Sequence, residues 1–226
     1  MSREFQGRLK KRLVRAGLSL SLEFATQLEQ YYGLLSRWNQ KINLTALPLE
    51  GFPDATLDRL IVEPLVAARH AGRVNVLLDI GSGGGSPAIP MKVAMPHATI
   101  VMIESKARKT AFLREVVREL DLSATQVETA RLEELLSRPE LHEAADVLTM
   151  RAVRVEARVL TTAQAFVKPG GAILLFRGSS GPDVPTELTP PLQWQATFPL
   201  VESLHSRLVV IRKGGVGLHA RIVKPG

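Results

Sequence analysis

One segment constrains this chain more than any other: Val76-Leu77-Leu78-Asp79-Ile80 followed at once by Gly81-Ser82-Gly83-Gly84-Gly85. A short apolar run of this kind reads as a buried strand. Glycines directly after it let the backbone turn sharply and let a ligand approach closely. A strand, a glycine turn and then a helix make the generic nucleotide-site arrangement of a doubly wound α/β sheet. The sequence on either side supports that class. Val76–Ile80, Thr99–Ile103, Thr125–Glu128, Ala145–Thr149 and Ala172–Phe176 read as strands. Pro87–Met95, Ala107–Leu120, Leu132–Ser137 and Val155–Phe166 read as the helices between them. Such alternation predicts a parallel sheet with helices on both faces.

The two ends of the chain depart from this alternation. Residues 8–16 and 21–39 read as helices, the second with Leu22, Ala25, Leu28, Tyr32, Leu35 and Trp38 on one apolar face. A further helix is expected over Asp54 to His70, bent or restarted at Pro64. Gln40 to Pro53 and the Pro- and Gly-rich Gly178–Pro191 read as loops, and Lys168-Pro169-Gly170-Gly171 as a turn into the fifth strand. Gln193–Pro199 and Ser206–Lys213 read as strands with no helix between them, an antiparallel edge pair. The expected organisation is a helical N-terminal segment, residues 1–72, and a cofactor-binding domain, residues 73–226. The fold class is Rossmann-like α/β, mostly parallel with an antiparallel C-terminal edge. Class I methyltransferases finish in that way and dinucleotide dehydrogenases do not.

The loop itself separates two ligand classes. The dinucleotide fingerprint needs glycine at both ends of a six-residue span. Here Gly81, Gly83 and Gly85 are present, but the sixth position is Ser86 and Pro87 follows. S-adenosylmethionine has no pyrophosphate and does not need that close approach. Glu104 ends the second strand, where an acid accepts the ribose hydroxyls of an adenosyl group. Strand, Asp79, glycines and Glu104 in this order point to S-adenosylmethionine as cofactor.

Charge and composition bound the partners. The net charge is +7. Arg3, Arg8, Lys10, Lys11, Arg12 and Arg15 stand near the start against Glu4 alone, and Arg207, Arg212, Lys213, Arg221 and Lys224 near the end. Basic ends suggest a polyanionic partner, nucleic acid first. The absence of cysteine excludes disulfides, zinc-thiolate sites and a cysteine nucleophile, including covalent C5 methylation of pyrimidines. His70, His97, His142, His205 and His219 form no metal-binding spacing, so no metal site is expected. No signal core opens the chain, and no apolar run reaches the roughly 18 residues a membrane helix needs. A cytoplasmic, monomeric protein without membrane association is expected.

The motifs in order resemble a known family, the bacterial 16S ribosomal RNA guanine-N7 methyltransferase G family, also called glucose-inhibited division protein B. Trp38-Asn39-Gln40-Lys41-Ile42-Asn43-Leu44-Thr45 carries the resemblance first, and Asp79 through Pro90 next. Arg108-Lys109, Phe112-Leu113, Arg151-Ala152 and Arg177-Gly178 continue it, from about Tyr31 to Lys213. The resemblance implies a cofactor pocket lined by Gly81, Ser86, Leu132, Glu133 and Arg151, beside Gly83 and Glu104 from the loop reading. It implies Arg151 as the candidate catalytic residue, positioning the methionine carboxylate or a substrate phosphate. It implies guanine N7 of 16S rRNA, free or in the small (30S) subunit, as the target. The chain departs from the family at Ser86 and Ala88, where Leu and Gly are usual, and at Ala55 and Arg59, where His and Ser are usual; Asp58 matches.

The residues after the fourth strand, Thr149-Met150-Arg151-Ala152-Val153, agree with that chemistry. They lack the Asp/Asn-Pro-Pro-aromatic set of amino-group methylation, and Arg151 stands where a ribose methylase has Asp. Two other readings stay open: a class I methyltransferase of a small molecule or protein, and a non-catalytic RNA-binding relative.

Overall fold

A computed structural model describes residues 3–151, 156–179 and 188–215. Two helices open the chain, α1 (Arg3–Arg15) and α2 (Leu22–Asn39). Ser21 caps α2, its hydroxyl accepting the Phe24 N–H at 3.2 Å. Then come α3 (Asp54–Leu57), a π-helical turn (Asp58–Val62) and α4 (Glu63–Ala68) without a break in the helix axis residues. The remainder alternates: β1 (Val76–Ile80), α5 (Ala88–Ala94), β2 (Thr99–Glu104), α6 (Ala107–Glu119), β3 (Thr125–Thr129), β4 (Ala145–Arg151), α7 (Ala157–Ala163), β5 (Val167–Arg177), β6 (Leu192–Pro199) and β7 (Arg207–Lys213).

The sheet order is β3-β2-β1-β4-β5-β7-β6. The first five strands in that order pair parallel, and β7 pairs antiparallel with both β5 and β6. Chain order reverses between β1 and β4, so the crevice beyond their carboxyl ends is the switch point where an open α/β sheet binds ligands.

Two apolar cores flank the sheet, one per face, and the strand period of two assigns side chains to them. Leu77, Val147 and Leu174 pack in the core that also holds Phe5, Leu9, Leu28, Tyr31 and Leu35 of the N-terminal helices. Leu78, Leu148 and Leu175 pack in the other. The same parity places Asp79, Thr149, Arg151 and Phe176 on the face covered by the N-terminal helices.

The expected strands are all present, with three departures in detail. Lys168 to Gly171 is counted within β5, but these four residues stand opposite the single residue Asp146 and Gly170 is left-handed (φ 80°), so the expected turn is present as a bulge at the start of the strand. Leu132–Ser137 is a 3-10 helix. Leu22, placed on the apolar face of α2, is 66% exposed because it sits in the first turn, beyond the reach of the core. The expected helix start at Val155, most of the Gly178–Pro191 loop, Arg221 and Lys224 lie outside the described residues.

The irregularity near Pro64 falls one turn earlier than expected. A proline has no N–H and its ring clashes with the carbonyl four residues back. In an α pattern that carbonyl belongs to Leu60; in the π pattern of this turn the partner of residue 64 would be Arg59. Both carbonyls are taken up by side chains, one from the end of β4 and one from the loop after β1, as described below.

Candidate cofactor site and cleft

The glycine loop leaves β1 with φ values of 73° at Gly81, 51° at Gly83 and 87° at Gly85, a region that favours glycine. At Gly85 a Cβ would stand 2.9 Å from Ile89 Cγ1, so the turn also needs the missing side chain. The N-terminal helices press on this loop. Tyr31, fully buried, donates its hydroxyl to the Gly84 carbonyl at 2.6 Å. A Cβ on Gly84 would lie 3.3 Å from Leu35 and 3.4 Å from the Leu44 carbonyl. The Asn39 side chain holds that neighbouring turn, accepting from the Leu44 and Thr45 N–H groups at 2.9 and 3.0 Å.

Glu104 lies across from the loop. One carboxylate oxygen accepts the Gly83 N–H at 3.0 Å and the other the Lys106 N–H at 2.9 Å. Each oxygen of an ionised carboxylate has a second acceptor site. Glu104 therefore fixes the loop and keeps capacity for hydroxyl donors.

Two cavities meet at Gly81 and Glu104. The first, about 420 Å³, is lined by Ile80, Ile103, Ala130, Leu132 and Glu133 among others. The second is a cleft of about 620 Å³ that includes Leu44, Thr45, Ser86, Phe176 and Arg177. The sequence-predicted residues divide between them: Leu132 and Glu133 in the first, Gly83, Ser86 and Arg151 in the second, Gly81 and Glu104 in both. An apolar slot, an acid with spare acceptor capacity and a glycine turn without side chains fit an adenosyl group joined to a smaller polar chain. The donor set fits S-adenosylmethionine.

Asp79 sits beneath the loop, 1% exposed. Thr149, its register partner on β4, donates to one carboxylate oxygen at 2.6 Å, and the other oxygen is buried without a partner. Burial pushes this carboxyl up to about 6, against the pull of the Thr149 hydroxyl and of Arg151.

Arg151 has more protein partners than the sequence reading anticipates. Its Nη1 donates to the Arg59 carbonyl and, at 3.0 Å, to Ser86 Oγ; its Nη2 pairs with Glu63 at 2.9 Å. Its guanidinium carbon stands 4.4 Å from the centre of the Phe176 ring, its register partner on β5. Ser86 Oγ in turn donates to the Leu60 carbonyl at 2.8 Å. These are the two carbonyls that the π-turn and Pro64 leave free. Burial lowers the Arg151 pKa to about 10; Arg59 lowers it further and Glu63 opposes. Two of the five Arg151 N–H groups, Nε and one on Nη2, have no acceptor among the described residues. Arg151 thus ties Ser86, Glu63 and the Arg59 carbonyl together, with its Nε buried and unpartnered among the described residues.

Sequence reasoning missed Glu63, which is fully buried and binds Arg151 through one oxygen and Arg59, at 2.9 Å, through the other. A signal was present: an acid inside the apolar run Leu60-Ile61-Val62-Glu63-Pro64-Leu65-Val66 is buried only if paired. It also missed that Asp58 pairs with Arg12 of α1, both buried, with Ser203 donating to the same carboxylate at 3.1 Å. Lys109 and Arg177, both carried by the family resemblance, line the cleft, and Arg59, noted in the sequence only as a departure from the family, joins them there.

Residues 25–201 match the family model described as rRNA small subunit methyltransferase G. Curated relatives of that name include one from Syntrophotalea carbinolica, 32% identical over 222 residues, covering 93% of this chain and 99% of the relative. Another, from Xanthomonas axonopodis pv. citri, is 34% identical over 203 residues, covering 87% and 90%. Among solved structures, a SAM dependent methyltransferase from Aquifex aeolicus aligns with a TM-score of 0.54 at 12% identity, over 80% of this chain and 97% of that one. That last likeness is one of fold.

Proposed function

The chain belongs to the rRNA small subunit methyltransferase G family, and from that membership we propose that it transfers a methyl group from S-adenosylmethionine to N7 of a guanine in 16S ribosomal RNA. The observation that carries the reading is the meeting of the two cavities at Gly81 and Glu104. One suits an adenosyl group, and the other is wide and cationic enough to admit a nucleotide.

Gly81, Gly83, Ser86, Glu104, Leu132 and Glu133 would hold the cofactor. Glu104 would accept ribose hydroxyls, and Leu132 would pack near the adenine. The bound cofactor supplies a methyl group already activated on a sulfonium. Guanine N7 presents a lone pair at neutral pH and no proton leaves it, so the chain need not supply a general base. The protein's task is to hold nucleophile and methyl in line, which is catalysis by proximity and orientation. Arg151 serves that task by fixing Ser86 and the π-turn and by offering its remaining N–H groups to the methionine carboxylate or a substrate phosphate. Phe176 and Leu44 supply apolar walls that keep water from the reacting atoms.

The finer points belong to the same proposal. The substrate is RNA free or within the small subunit, the protein acts as a cytoplasmic monomer, and residues 1–72 form a helical segment on the cofactor-binding unit of residues 73–226. The shared core of α1, α2 and the sheet supports close attachment of the two parts. Among the described residues no helix is long and apolar enough to cross a membrane.

The test is transfer of tritiated methyl to RNA from cells lacking this protein, followed by nucleoside identification. Label in 7-methylguanosine of 16S RNA is expected. Label on another base, on ribose, or in an RNase-resistant product would sink the reading.

A further inference from the structure

The cleft carries more positive charge than its acids can balance. Arg59, Lys109, Arg151 and Arg177 line it beside Glu104, with Glu63 buried behind. Glu63 is shared between Arg59 and Arg151, and both Glu104 oxygens already accept backbone N–H groups. Four cations against two carboxylates leave an excess that a partly buried site holds only at a cost. An anionic ligand would offset it.

Among these cations Arg59 is the one both oriented and open. The Arg151 side chain is 12% exposed and three of its N–H groups are engaged. The Arg59 side chain is 34% exposed, and among the described residues its one side-chain bond is from Nη1 to Glu63. Its Nη2 lies 3.4 Å from where a Cβ of Gly178 would stand, so the absence of a side chain at Gly178 leaves the guanidinium uncovered. Gly178 follows β5, which β4 separates from β1. At about 4.8 Å per strand this places the open fork roughly 10 Å across the sheet from the β1 tip. Arg59 thus faces the side of the cleft away from the adenosyl cavity, where a substrate has to enter. A guanidinium held along one edge by a carboxylate presents its other edge, Nε and Nη2, as a ready fork for a second oxyanion.

We infer that Arg59 binds a backbone phosphate of the RNA strand whose base enters the cleft, with Glu63 holding the guanidinium in place. This rests on the ribosomal RNA methyltransferase reading and adds a substrate contact to it. One phosphate oxygen accepts from Nε and another from Nη2, anchoring the strand at the β5 end of the cleft.

The experiment compares wild type, Arg59→Met and Arg59→Lys for three quantities: binding to 16S RNA transcribed in vitro across a salt series, binding of S-adenosylmethionine by calorimetry, and the kcat and KM of methyl transfer. Arg59→Met should weaken RNA binding about 10-fold and lower the salt slope by about one, as loss of one phosphate contact does. The KM for RNA should rise with kcat little changed, and cofactor affinity should stay within about twofold. Arg59→Lys keeps the charge without the fork, so it should recover the salt slope but only part of the affinity. Weakened cofactor binding with unchanged RNA binding would overturn the inference and give Arg59 to the methionine carboxylate. Unchanged RNA and cofactor binding in a folded Arg59→Met would overturn it as well. A wild-type protein that binds this RNA through Arg59 but methylates none of it would overturn the methyltransferase reading and leave the phosphate contact standing.

Discussion

Asp79 is held in the structure against its own ionisation. The carboxyl has one hydrogen-bonded oxygen and one without a partner, and burial pushes its pKa up to about 6. A folded pKa raised above the unfolded value means that the native state keeps its proton longer. Stability is therefore unpenalised below about pH 4, falls between about 4 and 6, and stays lower above that. A shift of about two pH units corresponds to roughly 3 kcal/mol at neutral pH. Asp79→Asn keeps an acceptor for Thr149 and removes the charge, although its amide inherits a partnerless position at about 1–2 kcal/mol. The net expectation is a gain of about 1 kcal/mol at pH 7.5, or about 2–4 °C in the thermal midpoint, reversing to a loss of about 1–2 kcal/mol by pH 4, where only the amide cost remains. A mutant no more stable than wild type at pH 7.5, or an offset that does not change with pH, would show that Asp79 ionises there without penalty. Destabilised groups of this kind cluster at functional sites.

The element that organises the cleft is the helix from Asp54 to Ala68, because its π-turn and Pro64 hand two backbone carbonyls to Arg151 and Ser86. Pro64→Ala returns an N–H to this helix and lets it reclaim one of them. The fold should survive and its thermal midpoint should change by only a few degrees. Cofactor affinity, followed by calorimetric titration, should fall about 10-fold as Ser86 or Arg151 loses its anchor; unaltered affinity would mean that the freed carbonyls are incidental. Glu63→Gln acts on the same unit differently. It leaves two arginines beside a neutral, fully buried amide, and breaking a buried pair costs about 3–5 kcal/mol. Urea unfolding should show that loss, and a change in unfolding free energy under 1 kcal/mol would place the pairing energy elsewhere. This helix is also where the sequence was least legible. Strand period and glycine turns made the sheet readable, since buried strands such as Leu77-Leu78 and Ile100-Val101 pack on both faces and so appear as continuous apolar runs. Gly81, Ser86, Glu104, Leu132 and Arg151 sit at strand ends or in the loops that follow, so their approach to one crevice follows from topology alone. What Arg151 binds did not, because its partners come from a helix that lies 88 and 92 residues earlier in the chain. Pro64 marked an irregularity, but not that one side chain from β4 and one from the loop after β1 would fill it.

At the scale of the molecule the basic N-terminus divides into a side packed in the core and a side exposed to solvent. Phe5, Leu9 and Leu13 of α1 are buried in the core shared with the sheet, and Arg12 of the same helix pairs with buried Asp58. Burial and charge here follow the helical period: Lys10, Lys11 and Arg15 lie exposed on the remaining face. Deleting residues 1–18 therefore strips apolar contacts and strands the Asp58 carboxylate together. Each fully buried large side chain is worth about 1.5–3 kcal/mol, so the truncated protein should lose several kcal/mol and be largely unfolded or aggregated. Replacing Lys10, Lys11 and Arg15 together by Gln removes only solvated charge. That variant should melt within about 1–2 °C of wild type, since exposed substitutions seldom exceed about 0.5 kcal/mol each. Its RNA affinity should fall and its salt slope should drop by as much as about three, the number of phosphates those side chains could neutralise. If the triple variant keeps both the melting point and the salt slope of wild type, α1 is purely structural. The RNA surface then reduces to the cleft cations, Arg59, Lys109 and Arg177.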